Sequence, residues 1–168
     1  MKRTLFATAA IGAAMLAVSF VPNAPRLVWN ASPSVAPGLY QIHNDPPRRG
    51  QIALVRLPPQ LAALALERGY LHNTALLLKP IAAANGDRVC HAGRNLFVRG
   101  RIVANTSVRD ALGRPLPAWH GCRVIGAHEV FLMSAHPSSF DSRYFGAIAA
   151  AAIIGTAQPI WITTPPTR

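Results

Sequence analysis

Acidic side chains are scarce in this sequence. Only six of its 168 residues are Asp or Glu, against seventeen Lys and Arg, and the formal net charge is +11 at pH 7. A folded body with this balance carries a positive field that attracts anionic partners. The basic residues are scattered, without a helix-turn-helix or aromatic-interleaved basic pattern, so no nucleic acid partner is expected. A body that rests near anionic lipid head groups accounts for the charge better.

Cysteine is also rare, and its two copies lie far apart in the chain. Cys90 and Cys122 do not have the C-x-x-C spacing of a zinc or redox site, so the sequence gives no support for a metal. In an exported protein these cysteines could pair as a disulfide. The alternative is two buried free thiols.

Charge is absent from one N-terminal stretch, which runs from Thr4 to Pro25. At about 1.5 Å per residue, a helix over most of it would span a hydrocarbon core about 30 Å thick. We predict an uncleaved anchor, with Lys2 and Arg3 as its positive cytoplasmic flank. A cleaved secretory signal is the alternative, but the small-residue triplet at 17–19 continues into apolar residues without a polar break. Either reading exports the remainder of the chain, so residues 1–25 are predicted as anchor and linker, and residues 26–168 as the exported body.

Long helical patterns and internal repeats are missing from this body. Short β-like runs alternate with Gly, Pro, Asn and Asp, which indicates a mainly β domain. The predicted strands are Gly38 to His43, Gln51 to Leu57, Thr74 to Ala82, Asn95 to Val98, Ile102 to Asn105, Arg123 to Ile125 and Val130 to Ser134. One short helix is predicted from Pro58 or Pro59 through Arg68, because Pro suits a first turn and Gly69 supplies a stop. The apolar run from Phe145 to Thr156 is too short to span a membrane and is predicted as a buried strand or turn region.

Two residues suggest nucleophilic chemistry, which requires a hydroxyl and a base that takes its proton. Ser34 lies between Pro33 and Pro37, which restrict the backbone on both sides. Lys79 lies in a run that otherwise reads as a buried strand, and burial lowers a lysine's pKa by disfavouring its charged form. Each feature has an ordinary alternative, namely a linker loop for the serine and a lysine whose head reaches water.

A third segment could support such a pair. Asp141 and Arg143 are two positions apart, so on a strand they would share a face and could pair, with Ser139 on the same side. A hydroxyl there could orient a neutral amine. The six histidines offer another kind of base, but nothing in their spacing favours one of them.

The three segments together resemble the sequence boxes of type I signal peptidases. Ser34-Val35-Ala36-Pro37 resembles the nucleophile box, and Lys79 followed by Gly86-Asp87 resembles the lysine box. The C-terminal signature of the family is matched by Asp141-Ser142-Arg143-Tyr144-Phe145-Gly146. Pro37-Gly38-Leu39-Tyr40 is most similar to the TraF branch, the peptidases of conjugative transfer systems.

The resemblance implies a role for each matched residue. Ser34 would be the nucleophile and Lys79 its general base. Ser32 would supply a side-chain donor to the oxyanion hole, where it would stabilise developing negative charge. Ser139 would position the lysine, and Asp141 with Arg143 would form a supporting ion pair.

The sequence also departs from the family pattern at three places. Val35 stands where Met is usual and Pro33 where Gly is common. The Gly-Asp-Asn-Arg stretch that precedes the last signature is replaced by Ser134-Ala135-His136-Pro137. The last change puts the details of the C-terminal support in question, although no reacting group is lost.

The resemblance further implies a signal-peptidase-like antiparallel β body behind a single membrane span. Such a protein would cut exported precursors on the periplasmic side of a bacterial inner membrane, with a pilin-like or other transfer component as substrate and no cofactor. Two alternatives stay open at this point. One is a non-catalytic, membrane-anchored envelope scaffold of the same fold, and the other is a cytoplasmic Ser-Lys protease that cleaves itself or a repressor, with which the predicted anchor conflicts.

Overall fold

The computed structural model describes residues 26–71 and 75–163. The predicted anchor and linker, residues 1–25, therefore lie outside the described residues, as does Thr74 at the start of one predicted strand. Among the described residues, no helix combines the length and apolar character that crossing a bilayer requires.

The described residues form a mainly β structure with two short α-helices. The strands are β1 (Leu27–Asn30), β2 (Gly38–His43), β3 (Ile52–Arg56), β4 (Leu76–Ala83), β5 (Arg88–Ala92), β6 (Asn95–Val98), β7 (Arg101–Asn105), β8 (Gly121–Val124), β9 (Glu129–Leu132), β10 (Ile148–Ala149) and β11 (Ile153–Ile162). The helices are α1 (Pro59–Glu67) and α2 (Ser142–Phe145), and a 3-10 turn covers Ala150–Ala152. The predicted fold class is confirmed.

The strands are arranged in two antiparallel sheets. The larger sheet has the order β1-β2-β11-β3-β4-β9-β10, and the smaller has the order β7-β6-β5-β8. The C-terminal strand β11 runs between β2 and β3, so that Thr156 lies opposite His43 on one side and Ala53 on the other. The end of the described chain is thus part of the middle of the sheet.

Both faces of the larger sheet are covered at β3 and β4. Leu54 and Leu78 pack on one face, whereas Ala53 and Ile81 pack on the other. Strands that are buried on both faces read as continuous apolar runs rather than as alternating ones. A lysine in such a strand is removed from water, and Lys79, which lies opposite Ala53 in the register, is only 3% exposed.

Several local predictions need correction. Strands β1 and β5 were not expected, because β1 has only four residues and lies at the sheet edge, and β5 carries Arg, Cys and His. The segment around Asp141 and Arg143 is a helical turn rather than a strand, since the Asp141 carboxylate caps α2 by accepting the Arg143 N–H. The predicted region from Phe145 to Thr156 contains β10 and a 3-10 turn, and its last strand continues to Ile162.

The two cysteines form a disulfide that joins two strands of the smaller sheet. Cys90 on β5 and Cys122 on β8 lie directly opposite each other in the register. The alternative of two free thiols is thereby excluded. The disulfide closes the segment between β5 and β8 and stabilises the smaller sheet, which is separate from the sheet that contains Lys79.

Candidate active site

Lys79 brings together side chains from three separate parts of the chain. Its Nζ atom lies 2.6 Å from Ser34 Oγ, in the loop between β1 and β2. The same Nζ lies 2.5 Å from Ser139 Oγ, which precedes α2. Ser139 is buried and Ser34 is partly exposed. The amine therefore lies between one serine in the protein interior and one nearer the surface.

The surroundings of Lys79 favour its neutral form. Burial lowers the pKa of Lys79 to about 8, the Asp141 carboxylate opposes this shift, and the Arg143 guanidinium adds to it. With that pKa, about a tenth of the amine is neutral at pH 7. A neutral amine next to a hydroxyl can accept its proton, which an exposed lysine with an ordinary pKa rarely does.

The loop that contains Ser34 is folded around the side chain of Asn30, at the end of β1. Asn30 Nδ2 donates to the carbonyls of Ser32, Val35 and Ala36, at 2.8, 3.0 and 3.2 Å. Its Oδ1 accepts from both the N–H and the hydroxyl of Ser32, at 3.1 and 3.0 Å. Val35 turns into the core beside Leu78, which explains why an apolar residue suffices at this position.

A second contact reaches the Ser34 loop, residues 31–37, from the segment that departs from the family pattern. The Ser134 hydroxyl donates to the carbonyl oxygen of Ser34 at 2.6 Å and accepts the His136 N–H at 3.0 Å. The Ser134 N–H donates to Asp141 Oδ2 at 3.0 Å, and its carbonyl accepts from Arg143. Ser134 therefore connects the loop to the ion pair behind the lysine.

Asp141 and Arg143 form this ion pair almost without contact with water. Arg143 Nε donates to Asp141 Oδ1 at 2.7 Å and a terminal guanidinium nitrogen donates to Oδ2 at 3.0 Å, and neither residue is more than 1% exposed. A two-point contact of this kind fixes the guanidinium plane as well as the charge. The remaining guanidinium nitrogen donates to the Pro137 carbonyl at 3.2 Å, so the pair also holds the segment that leads to Ser139.

Comparison with known proteins shows to which family the chain belongs. The family model described as "Signal peptidase, peptidase S26" matches residues 1–162. The chain belongs to this signal peptidase family. The coarser function follows from the family: the chain is a peptidase of the signal peptidase type, and its substrate is a precursor protein.

Curated relatives assign this signal peptidase to the TraF-type branch. The plasmid transfer protein TraF of Escherichia coli is 32% identical over 78% of this chain and 80% of its own length. The probable conjugal transfer protein TraF of Sinorhizobium fredii is 35% identical over 81% and 77%. The conjugal transfer protein TraF of Agrobacterium tumefaciens is 33% identical over 98% of both chains. A solved signal peptidase I from Enterococcus faecalis covers 68% of this chain and 98% of its own, with 16% identity and a TM-score of 0.40.

Ser32 lies in the Ser34 loop of this signal peptidase, but its hydroxyl already binds Asn30. It donates to Asn30 Oδ1, and the residue is exposed. To act as an oxyanion donor, the hydroxyl would have to rotate away from Asn30 when substrate binds. Its role in the oxyanion hole stays a prediction.

Other sequence candidates lie apart from the amine. Asp87 of the lysine box supports the turn after β4, where it accepts the Ala84 N–H at 3.1 Å and lies 3.6 and 3.5 Å from guanidinium nitrogens of Arg49 and Arg99. Within residues 26–71 and 75–163, no histidine hydrogen-bonds to Ser34. In the same part of the chain no cluster of three or more His, Cys, Asp or Glu is placed to hold a metal ion.

Asn30 and Ser134 are the residues of the site that sequence reasoning missed. Neither belongs to a box of the signal peptidase pattern as quoted from this sequence. The signal that could have found Ser134 was the departure itself, since a serine replaces the family's stretch at this point. For Asn30, the signal was an amide directly before a serine-rich turn, where Asn often bonds to the backbone two residues on.

Proposed function

We propose that this signal peptidase is a serine endopeptidase in which Ser34 attacks the substrate carbonyl and Lys79 takes its proton. The observation that supports this most directly is the 2.6 Å contact between Ser34 Oγ and the buried Nζ of Lys79. Ser139 would accept a hydrogen from the amine, which leaves the nitrogen lone pair for the hydroxyl of Ser34. The base is then oriented by a third group, as nucleophilic catalysis by a serine requires.

The proton and the bonds can be followed through one turnover. Ser34 Oγ bonds to the carbonyl carbon as its proton moves to Lys79 Nζ, and the resulting oxyanion needs donors in the Ser34 loop. When the C–N bond breaks, the Lys79 ammonium returns the proton to the leaving amine. Water then attacks the ester on Ser34, with Lys79 again as the base, and releases the second product.

The substrate that we propose is an exported precursor with a leader segment, either pilin-like or another component of a transfer system. The names of the relatives, which refer to plasmid and conjugal transfer, support this choice. The predicted anchor would hold the body on the periplasmic side of the inner membrane, where the end of a leader segment emerges. By family analogy, the substrate would bind as an added strand.

Cleavage assays with matched variants test the proposal. Ser34→Ala and Lys79→Met should each lower kcat for the precursor by about a thousandfold or more, because each removes one member of a unit. Ser138→Ala is the control, since this exposed serine is adjacent to Ser139 in the chain. If Ser34→Ala cleaves the precursor at the wild-type rate, Ser34 is not the nucleophile and the proposal is wrong.

A further inference from the structure

We infer that Asn30 and Ser134 are positioning residues that hold the Ser34 loop against Lys79. The inference rests on the proposed function, in which Ser34 is the nucleophile. It concerns two buried side chains, Asn30 at 7% and Ser134 at 1% exposure, of which Asn30 lies outside the family's motifs and Ser134 lies where the sequence departs from them. Neither side chain touches the amine in the contacts described above, so each would act through Ser34.

Asn30 controls the shape of the loop from one side. Three of its five hydrogen bonds go to carbonyl oxygens of the loop, before and after Ser34. A carboxamide can donate and accept at once, whereas Asp, Leu or Ala cannot supply both in this geometry. If the amide were removed, the buried hydrogen bond to the Val35 carbonyl would be lost, whereas the Ala36 carbonyl would keep the Tyr40 hydroxyl as a donor at 2.6 Å.

Ser134 controls the loop from the other side, at the nucleophile itself. Its hydroxyl binds the Ser34 carbonyl, which limits rotation of the backbone next to the reacting side chain. The Ser134 N–H donates to Asp141 and its carbonyl accepts from Arg143, so the position of Ser134 is itself fixed. The chain thus places Ser34 by bonds to its backbone and leaves its hydroxyl free for Lys79.

The hydrogen bonds of Asn30 and Ser134 fix the position of Ser34 relative to Lys79, which packing alone would not do. Ser34 Oγ and Lys79 Nζ come from segments 45 positions apart. At the centre of the Ser34 loop, Val35 packs into the core. A misplacement of about 1 Å between reacting atoms can reduce a rate about a hundredfold. Hydrogen bonds that fix the loop therefore protect the rate of acylation rather than the affinity for substrate.

The test compares two variants with a matched control. Ser134→Ala should lower kcat for precursor cleavage about three- to tenfold, and Asn30→Asp about tenfold or more, both with KM near the wild-type value. Asp has the shape of Asn but offers a carboxylate oxygen to three carbonyls, so it separates hydrogen bonding from space filling. The control is Thr106→Ala, which removes a buried hydroxyl that donates to the Arg94 carbonyl at 3.3 Å, away from the site, and should leave kcat unchanged.

The pH dependence of kcat supplies a second measurement. Ser134→Ala changes no charge and removes no group that hydrogen-bonds to the amine, so in this variant the midpoint set by Lys79 should stay at its wild-type pH while the plateau falls. Wild-type kcat in both variants, or a raised KM at unchanged kcat, would overturn the inference while Ser34→Ala remains inactive and the proposed function stands. Cleavage by Ser34→Ala would overturn both. If Ser134→Ala does not fold, its role is structural and the Asn30→Asp variant, checked by thermal unfolding, decides the rest.

Discussion

The burial that lowers the pKa of Lys79 also destabilises the folded protein. The Lys79 pKa of about 8 in the folded chain lies below the ordinary 10.5, because burial disfavours the ammonium. The folded state therefore binds this proton less well than the unfolded state, and the difference corresponds to about 3 kcal/mol of destabilisation below pH 8. The destabilisation decreases as the pH rises from 8 to 10.5 and is absent above that range.

The same shift predicts the pH dependence of the reaction. Below pH 8 the fraction of neutral Lys79 falls about tenfold per pH unit, so kcat/KM, which reports the substrate-free chain, should rise with pH and level off above a midpoint near 8. The measurement is kcat/KM for precursor cleavage between pH 6 and 10, with thermal unfolding at each pH to confirm that the chain stays folded. A rate that is independent of pH across this range would mean that Lys79 is not the base.

Single residues also show what a sequence can and cannot predict. Ser34, Lys79 and Ser139 could be selected in advance because each lies in or next to a recognisable box, and the structure brings their side chains together. The sequence marks Ser134 only as a departure from the family pattern, and its contact with Ser34 joins residues 100 positions apart and exists only after the sheet has formed. Asn30 is marked only as an amide before a turn, since its partners depend on the shape of the loop rather than on a repeat or spacing.

At the scale of elements, the strands with regular patterns were predicted well and the others were not. The bounds of β2 and β6 agree with the prediction, and α1 begins and ends near the expected prolines and glycine. The strand β11 was placed only in part, because its second half carries Gln158 and Pro159 and remains exposed. Hydrophobic alternation identifies half-buried strands, but it does not identify a strand whose burial changes along its length.

Asp141 has two roles in the short helix α2, because it caps the helix and also pairs with the Arg143 guanidinium. A substitution can separate these roles. Asp141→Asn keeps an oxygen that can cap the helix at the Arg143 N–H but removes the charge that pairs with the guanidinium. Because Arg143 is 1% exposed, it would become a buried and unpaired cation, and we expect a loss of about 3–5 kcal/mol in the free energy of unfolding.

Chemical denaturation of the full-length chain measures this loss. The double variant Asp141→Asn with Arg143→Met should recover part of it, because it removes the unpaired charge. An Asp141→Asn chain as stable as wild type would show that capping, rather than the ion pair, is what the aspartate contributes to α2.

At the scale of the whole molecule, the site is a product of the complete larger sheet. Ser34 follows β1, Lys79 lies in β4 and Ser139 follows β9. The strands β4 and β9 are neighbours in the sheet, whereas β2, β11 and β3 lie between β1 and β4. The smaller sheet contributes none of the three and is held by its own disulfide. The proposed catalytic residues therefore all lie in the described body, whereas residues 1–25 are predicted to decide where that body works.

This division predicts a specific result for a chain that begins at residue 26. It should cleave a soluble peptide that spans the precursor's cleavage site with a kcat/KM close to that of the full-length chain, because Ser34, Lys79 and Ser139 are all retained. On the precursor inserted in vesicles it should lose about tenfold or more in kcat/KM, since an anchor raises the local concentration of enzyme at the bilayer. An unrelated membrane helix fused at residue 26 should restore the rate on vesicles, which distinguishes anchoring from a contact made by the natural segment. Equal loss on both substrates would mean that residues 1–25 support the folded site itself, and no loss on either would mean that the body reaches its precursor without them.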